Sequence, residues 1–122
     1  MPDRVLLAED EPNIAELLSF LLGRAGFEVE TATDGNAALA AALAAQPAVV
    51  ILDVMLPGLD GLEVLRRLRA DPRGRGLRIL VLTAKGQRAD RQAAIDGGAD
   101  MFISKPFANE ELLAAVRRLA GN

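Results

Sequence analysis

Ala48-Val49-Val50-Ile51-Leu52-Asp53, followed by Val54-Met55-Leu56-Pro57-Gly58-Leu59-Asp60-Gly61, decides the fold of this chain. Five aliphatic residues in a row, without polar alternation, read as a strand covered on both faces. The run ends on an acid, and Pro57-Gly58 then turns the chain. Asp60, with Glu63 three residues later, resembles a capping box that opens a helix through Leu62, Leu65 and Leu68. A strand buried on both faces needs neighbours on both edges, so similar runs are sought to either side.

They occur at Val5-Leu6-Leu7-Ala8, Leu77-Arg78-Ile79-Leu80-Val81-Leu82 and Met101-Phe102-Ile103-Ser104, while Phe27-Glu28-Val29-Glu30-Thr31 alternates like an edge strand. Helical spacing fills the gaps. Ile14, Leu17, Leu18, Leu21 and Leu22 form an apolar stripe that Gly23 and Gly26 can stop. Asp34 can cap an Ala-rich helix that ends before Pro47. The last helix carries Leu112, Leu113, Val116 and Leu119, with Glu110-Glu111 leading and Arg117-Arg118 trailing, as the helix dipole favours. The segment from Gln87 to Asp96 has little to bury, offering only Ala89, Ala93, Ala94 and Ile95, so it is expected to be weakly anchored. Five strand–helix repeats imply an α/β fold: a doubly wound, (βα)5 five-stranded parallel sheet joined by right-handed crossovers. In such sheets, sites form beyond the carboxyl ends of the strands.

At 122 residues the chain is expected to be one domain, residues 1–122. Its 51% hydrophobic and 25% charged content suits a soluble globular protein. Fourteen basic residues against seventeen acidic ones leave a charge of −3, which argues against direct nucleic-acid binding. There is no cysteine, histidine or tyrosine, so thiol and imidazole chemistry are excluded. The start, Met1-Pro2-Asp3-Arg4-Val5, lacks the apolar core of a signal peptide, and no run reaches membrane-span length. The expected location is cytoplasmic, without a membrane partner.

The strand ends carry Glu9-Asp10-Glu11, Asp53, Thr83-Ala84 and Lys105-Pro106. Glu9, Asp10 and Asp53 against Lys105 leave two uncompensated negative charges in a partly desolvated cleft. Such a set must protonate or recruit a cation. A hard divalent ion is the natural partner, and Mg²⁺ suits two carboxylates, a carbonyl and waters.

Leu7-Ala8-Glu9-Asp10-Glu11-Pro12, the stretch from Ile51 to Gly61, Val81-Leu82-Thr83-Ala84 and Ile103-Ser104-Lys105-Pro106-Phe107 together resemble the receiver domain of bacterial two-component response regulators, from Val5 to about Leu119. The resemblance implies the flavodoxin-like strand order 2-1-3-4-5. It implies that Asp53 takes a phosphoryl group from a sensor histidine kinase or a histidine phosphotransfer protein. Asp10, Asp53 and the backbone carbonyl of Met55 would hold Mg²⁺ (or Mn²⁺), with Glu9 acting mainly through metal-bound water. Lys105 would pair with the phosphoryl oxygens, the Thr83 hydroxyl and the Ala84 N–H would donate to them, and Pro106 would follow a cis bond. The chain would be a signalling switch rather than an enzyme, catalysing its own phosphorylation and slow dephosphorylation.

Switching would pass from Thr83 to Phe102, which fills the space Thr83 leaves, and would remodel the fourth helix, fifth strand and fifth helix for a downstream protein or output domain. Arg91, Asp96, Asp100 and Glu111 could pair two copies there. Met101 and Ala115 stand at positions often charged in relatives that dimerise so, which argues against the usual symmetric dimer. The chain reads as a free-standing regulator or an excised receiver. An aspartyl-phosphate hydrolase would want a second acid where Met55 stands. A flavin carrier would want a hydroxyl-rich loop in place of Glu9-Asp10-Glu11-Pro12. The stretch Asp71-Pro72-Arg73-Gly74-Arg75-Gly76 lacks the ending of a P-loop and reads as a solvated turn.

Overall fold

The computed structural model describes residues 3–84 and 87–121; Met1-Pro2, at the start read above for a signal peptide, lie outside them. Five strands and five helices alternate: β1 (Arg4–Ala8), α1 (Pro12–Arg24), β2 (Glu28–Ala32), α2 (Gly35–Ala45), β3 (Val49–Asp53), α3 (Gly61–Ala70), β4 (Arg78–Ala84), α4 (Arg88–Asp96), β5 (Met101–Lys105) and α5 (Asn109–Leu119). The sheet is parallel, in the order β2-β1-β3-β4-β5. Every residue of β3 is buried, as its unbroken aliphatic run demands, whereas β2 at the edge is mostly open to solvent.

Alternation along each strand sorts side chains onto two faces. Leu6, Ala8, Val50, Leu52, Ile79 and Val81 pack under α2, α3 and α4, meeting Ala38, Ala42, Val64, Leu65, Leu68 and Ala94. Val5, Leu7, Val49, Ile51, Leu80, Leu82 and Ile103 pack under α1 and α5, meeting Leu18, Leu22, Leu112, Ala115 and Val116. This sorting also fixes which strand-end side chains can meet.

Local signals explain the helix starts. The Asp34 side chain accepts from the Ala37 N–H at 2.8 Å, and Asp60 accepts from the Glu63 N–H at 2.9 Å. The reciprocal half of the expected capping box is not made. Glu63 turns forward instead, to Arg66 at 2.7 Å and Arg67 at 3.3 Å, because two guanidiniums outbid one amide.

One further expectation is corrected. The α1 stripe is wider than its berth: Leu18 and Leu22 are buried, but Ile14 is 37% and Leu17 50% exposed. One flat sheet face covers one row of a helix, so the neighbouring row looks outward. Asp100, one of the residues that could pair two copies, is already engaged within the chain. It is bound to Arg69 at 2.9 Å and accepts from the Ile79 N–H at 2.8 Å. Arg69 also donates to the carbonyls of Gly98, Gly74, Arg75 and Leu77, tying the ends of α3 and α4 to the starts of β4 and β5.

The weakly anchored segment is confirmed as such. α4 buries only Ala94, its N-cap Gln87 makes no side-chain cap, and Ile95 is half exposed.

Candidate functional site at the carboxyl rim of the sheet

Register builds the site. Ala8 pairs with Leu52, so Glu9 and Asp53, one residue further on, leave the sheet side by side. Asp53 pairs with Leu82 and Ala84 with Lys105, which brings the ends of β4 and β5 to the same rim. Glu9, Asp53 and Lys105 follow Leu7, Ile51 and Ile103 by two residues, and all three of those lie on the α1–α5 face. Their polar successors therefore share a face.

The side chains do meet. The Lys105 ammonium donates to Asp53 Oδ2 and lies 3.6 Å from Glu9 Oε1. Glu9 and Asp53 are each only 2% exposed. Asp53 Oδ1 accepts from the Met55 N–H at 2.9 Å, which stops the carboxylate from rotating. Glu9 Oε2 accepts from the Glu11 N–H at 3.1 Å, and the Glu9 N–H donates to Ala32 O at 3.0 Å. Among the described residues, Glu9 Oε1 is buried with no hydrogen-bond partner.

The electrostatics follow from two carboxylates facing one ammonium. Burial, and next the neighbouring Asp53 carboxylate, pushes the Glu9 carboxyl up from 4.5 to about 7, with Lys105 only partly offsetting the rise. Burial also works against the Lys105 charge, but Asp53 and then Glu9 outweigh it and hold the ammonium above its ordinary 10.5. The trio thus carries more negative charge than its own cation satisfies.

Backbone packing sets Asp53 from behind. A Cβ on Gly61 would lie 2.3 Å from the Asp53 carbonyl oxygen, so the first residue of α3 can pass behind the acid only as glycine. The Gly35 N–H at the start of α2 donates to Pro57 O at 3.0 Å, bracing the loop that carries Met55.

Asp10 does not join this trio. Glu9 is the last residue of the segment still bonded to the sheet, and Asp10 falls on the turn before α1 with its side chain exposed. Among the described residues, no three acidic side chains converge into a ready cation cage. Thr83 is fully buried, but it follows Val81 on the opposite face and its Oγ1 lies 3.3 Å from Ser104 Oγ. Ala84 ends β4 in an exposed position, and the Met55 side chain points to solvent. Phe102 is half-buried, with the Arg91 guanidinium 4.7 Å from its ring centroid. The Lys105–Pro106 peptide is cis. The roles of Ser104 and Gly61 were not read from the sequence. Alternation from Phe102 and register with Thr83 are the signals that locate Ser104.

Residues 5–117 match the family described as Response regulator receiver domain. The chain is 45% identical over 116 residues to the DNA-binding dual master transcriptional regulator RpaA of Synechocystis sp., covering 95% of this chain and 48% of that protein. It is 48% identical over 119 residues to the response regulator MprA of Mycolicibacterium vanbaalenii, covering 98% of this chain and 51% of that protein. The chain therefore spans about half the length of these curated relatives. Its fold matches the chemotaxis response regulator CheY4 of Vibrio cholerae with a TM-score of 0.90 at 35% identity, covering 98% of this chain and 99% of that one. It matches the receiver domain of sensor histidine kinase PA1611 of Pseudomonas aeruginosa, which has a magnesium ion in its active-site cleft, with a TM-score of 0.91 at 30% identity over all of both chains. The strand order, the acid-and-lysine rim and the match across nearly all the chain agree: this chain belongs to the response regulator receiver domain family.

Proposed function

We propose that this domain accepts a phosphoryl group on Asp53 from the phosphohistidine of a sensor kinase or phosphotransfer protein, and that the acyl phosphate changes the α4–β5–α5 surface. The observation that carries the reading is the buried Asp53 carboxylate, held by the Met55 N–H on one oxygen and paired with Lys105 on the other. A structural ion pair would not need a second buried acid beside it, yet Glu9 is there, with one oxygen that makes no hydrogen bond among the described residues.

The chemistry suits these groups. An Asp53 oxygen forms the new O–P bond as the donor's P–N bond breaks, and the departing imidazole keeps that electron pair and takes up a proton. Such a transfer needs alignment and charge neutralisation more than covalent help. Restraint by the Met55 N–H supplies the alignment. Lys105 supplies positive charge, moving from the carboxylate to the phosphoryl oxygens as charge develops there. The Thr83 hydroxyl and Ala84 N–H, at the end of β4, supply further donors.

The Glu9 oxygen without a hydrogen bond and the surplus negative charge fit a divalent cation. Glu9, Asp10, Asp53 and the Met55 carbonyl would hold Mg²⁺ or Mn²⁺, Asp10 reaching in from its exposed turn. When bound, the ion supplies the positive charge that draws attacker and phosphoryl oxygens together. Slow loss of the phosphoryl group to water resets the switch.

The residues act in the cytoplasm; no helix among the described residues is long and apolar enough to cross a membrane. A downstream protein or output domain reads the α4–β5–α5 surface, because α4 is held by so little and moves at small cost. Intact-mass measurement after incubation with acetyl phosphate and Mg²⁺ tests the reading. A gain of one phosphoryl group, abolished by Asp53→Asn, is the expected result; a gain that survives Asp53→Asn sinks it.

A further inference from the structure

We propose that Ser104 is a positioning residue for phosphoryl transfer: across the β4–β5 ladder its hydroxyl holds the Thr83 hydroxyl away from the phosphoryl position while Asp53 is unmodified. The proposal rests on the phosphoacceptor reading above and deepens it.

Thr83 and Ser104 are register partners, and their hydroxyl oxygens lie 3.3 Å apart. Thr83 is fully buried, so its hydroxyl cannot turn to water; Ser104 is the partner that satisfies it. Ser104 itself is half-exposed and can be solvated when Thr83 leaves. The cost of losing Ser104 therefore falls on one side of the switch. With the Ser104 hydroxyl gone, the resting Thr83 hydroxyl is buried without a partner, whereas a Thr83 hydroxyl donating to a phosphoryl oxygen is unaffected.

The contact is also long for an O–H···O bond, whose usual range ends near about 3.0 Å. A weak anchor suits a group that must be released. Ser104 occupies the same face of β5 as Phe102, two residues earlier, while Lys105 lies on the opposite face. One short strand thus carries the resting anchor of Thr83, the ring expected to fill its place and the cation at the rim.

The test is a titration of the full chain with beryllofluoride and Mg²⁺, a phosphoryl mimic, for wild type, Ser104→Ala and Ser104→Thr. The Thr83 methyl resonance is followed in the same samples. Tighter binding in Ser104→Ala by about twofold to tenfold, the span of one modest hydrogen bond, is expected. The Thr83 methyl resonance should shift in ligand-free Ser104→Ala, and Ser104→Thr should restore both readouts because it keeps the hydroxyl. Equal or weaker binding by Ser104→Ala, beside normal wild-type binding, overturns this proposal alone. So does a Ser104→Thr variant that behaves like Ser104→Ala. Failure of the wild type to take up beryllofluoride sinks the phosphoacceptor reading and this proposal with it.

Discussion

Lys105 pairs with Asp53 and leaves Glu9 Oε1 at 3.6 Å, so one ammonium is shared unequally between two buried acids. Glu9 is the acid left short. Its carboxyl is pushed up to about 7 from 4.5, mainly by burial.

A stability difference that depends on pH follows. Because the folded protein holds the Glu9 proton more tightly than the unfolded chain does, ionising Glu9 costs folding free energy as pH rises from about 4.5, and the cost levels off above about 7. In chelator, Glu9→Gln should therefore match the wild type below about pH 4.5. It should be the more stable by on the order of 1–3 kcal/mol at pH 8. Urea unfolding of both proteins across this range checks the sign, and a difference that does not vary with pH contradicts it.

Gly61→Ala should disturb the acid itself. The added methyl must displace the Asp53 carbonyl, which a Cβ would approach to 2.3 Å. A stability loss of about 1–3 kcal/mol is expected. Phosphorylation by acetyl phosphate should also slow in the molecules that remain folded, measured by intact mass against time. An unchanged rate would mean that the backbone behind Asp53 does not set its geometry.

The Arg91 guanidinium over the Phe102 ring ties α4 to β5. Arg91→Ala should let α4 open more often, raising amide exchange over residues 88–96 by about twofold to fivefold, the worth of an exposed cation–π contact. Exchange in β3 should stay unchanged. Equal exchange in α4 of the two proteins would show that Arg91 does not hold the helix.

The sequence made the strands legible because aliphatic runs such as Val49–Leu52 admit one reading, and strand ends then named Glu9, Asp53 and Lys105. Asp34 and Asp60 were legible as caps because capping is decided within three residues. The reading failed where partners lie far apart in the chain. The Thr83–Ser104 pair spans twenty-one residues and depends on the β4–β5 register. Arg69 gathers carbonyls from Gly74 to Gly98, and no local pattern announces such a hub. Glu9 and Asp10 stand side by side in the sequence, and nothing local says which of them is buried. The point at which β1 leaves the sheet makes one acid buried and the other exposed.

Borohydride trapping tests the central claim most directly. It reduces an acyl phosphate to an alcohol, so a domain phosphorylated in Mg²⁺ should yield, after digestion, a peptide with homoserine at position 53 and unaltered Glu9 and Asp10. Homoserine at neither Asp53 nor any other position, or a reduced side chain at position 9 or 10 instead, would contradict the account.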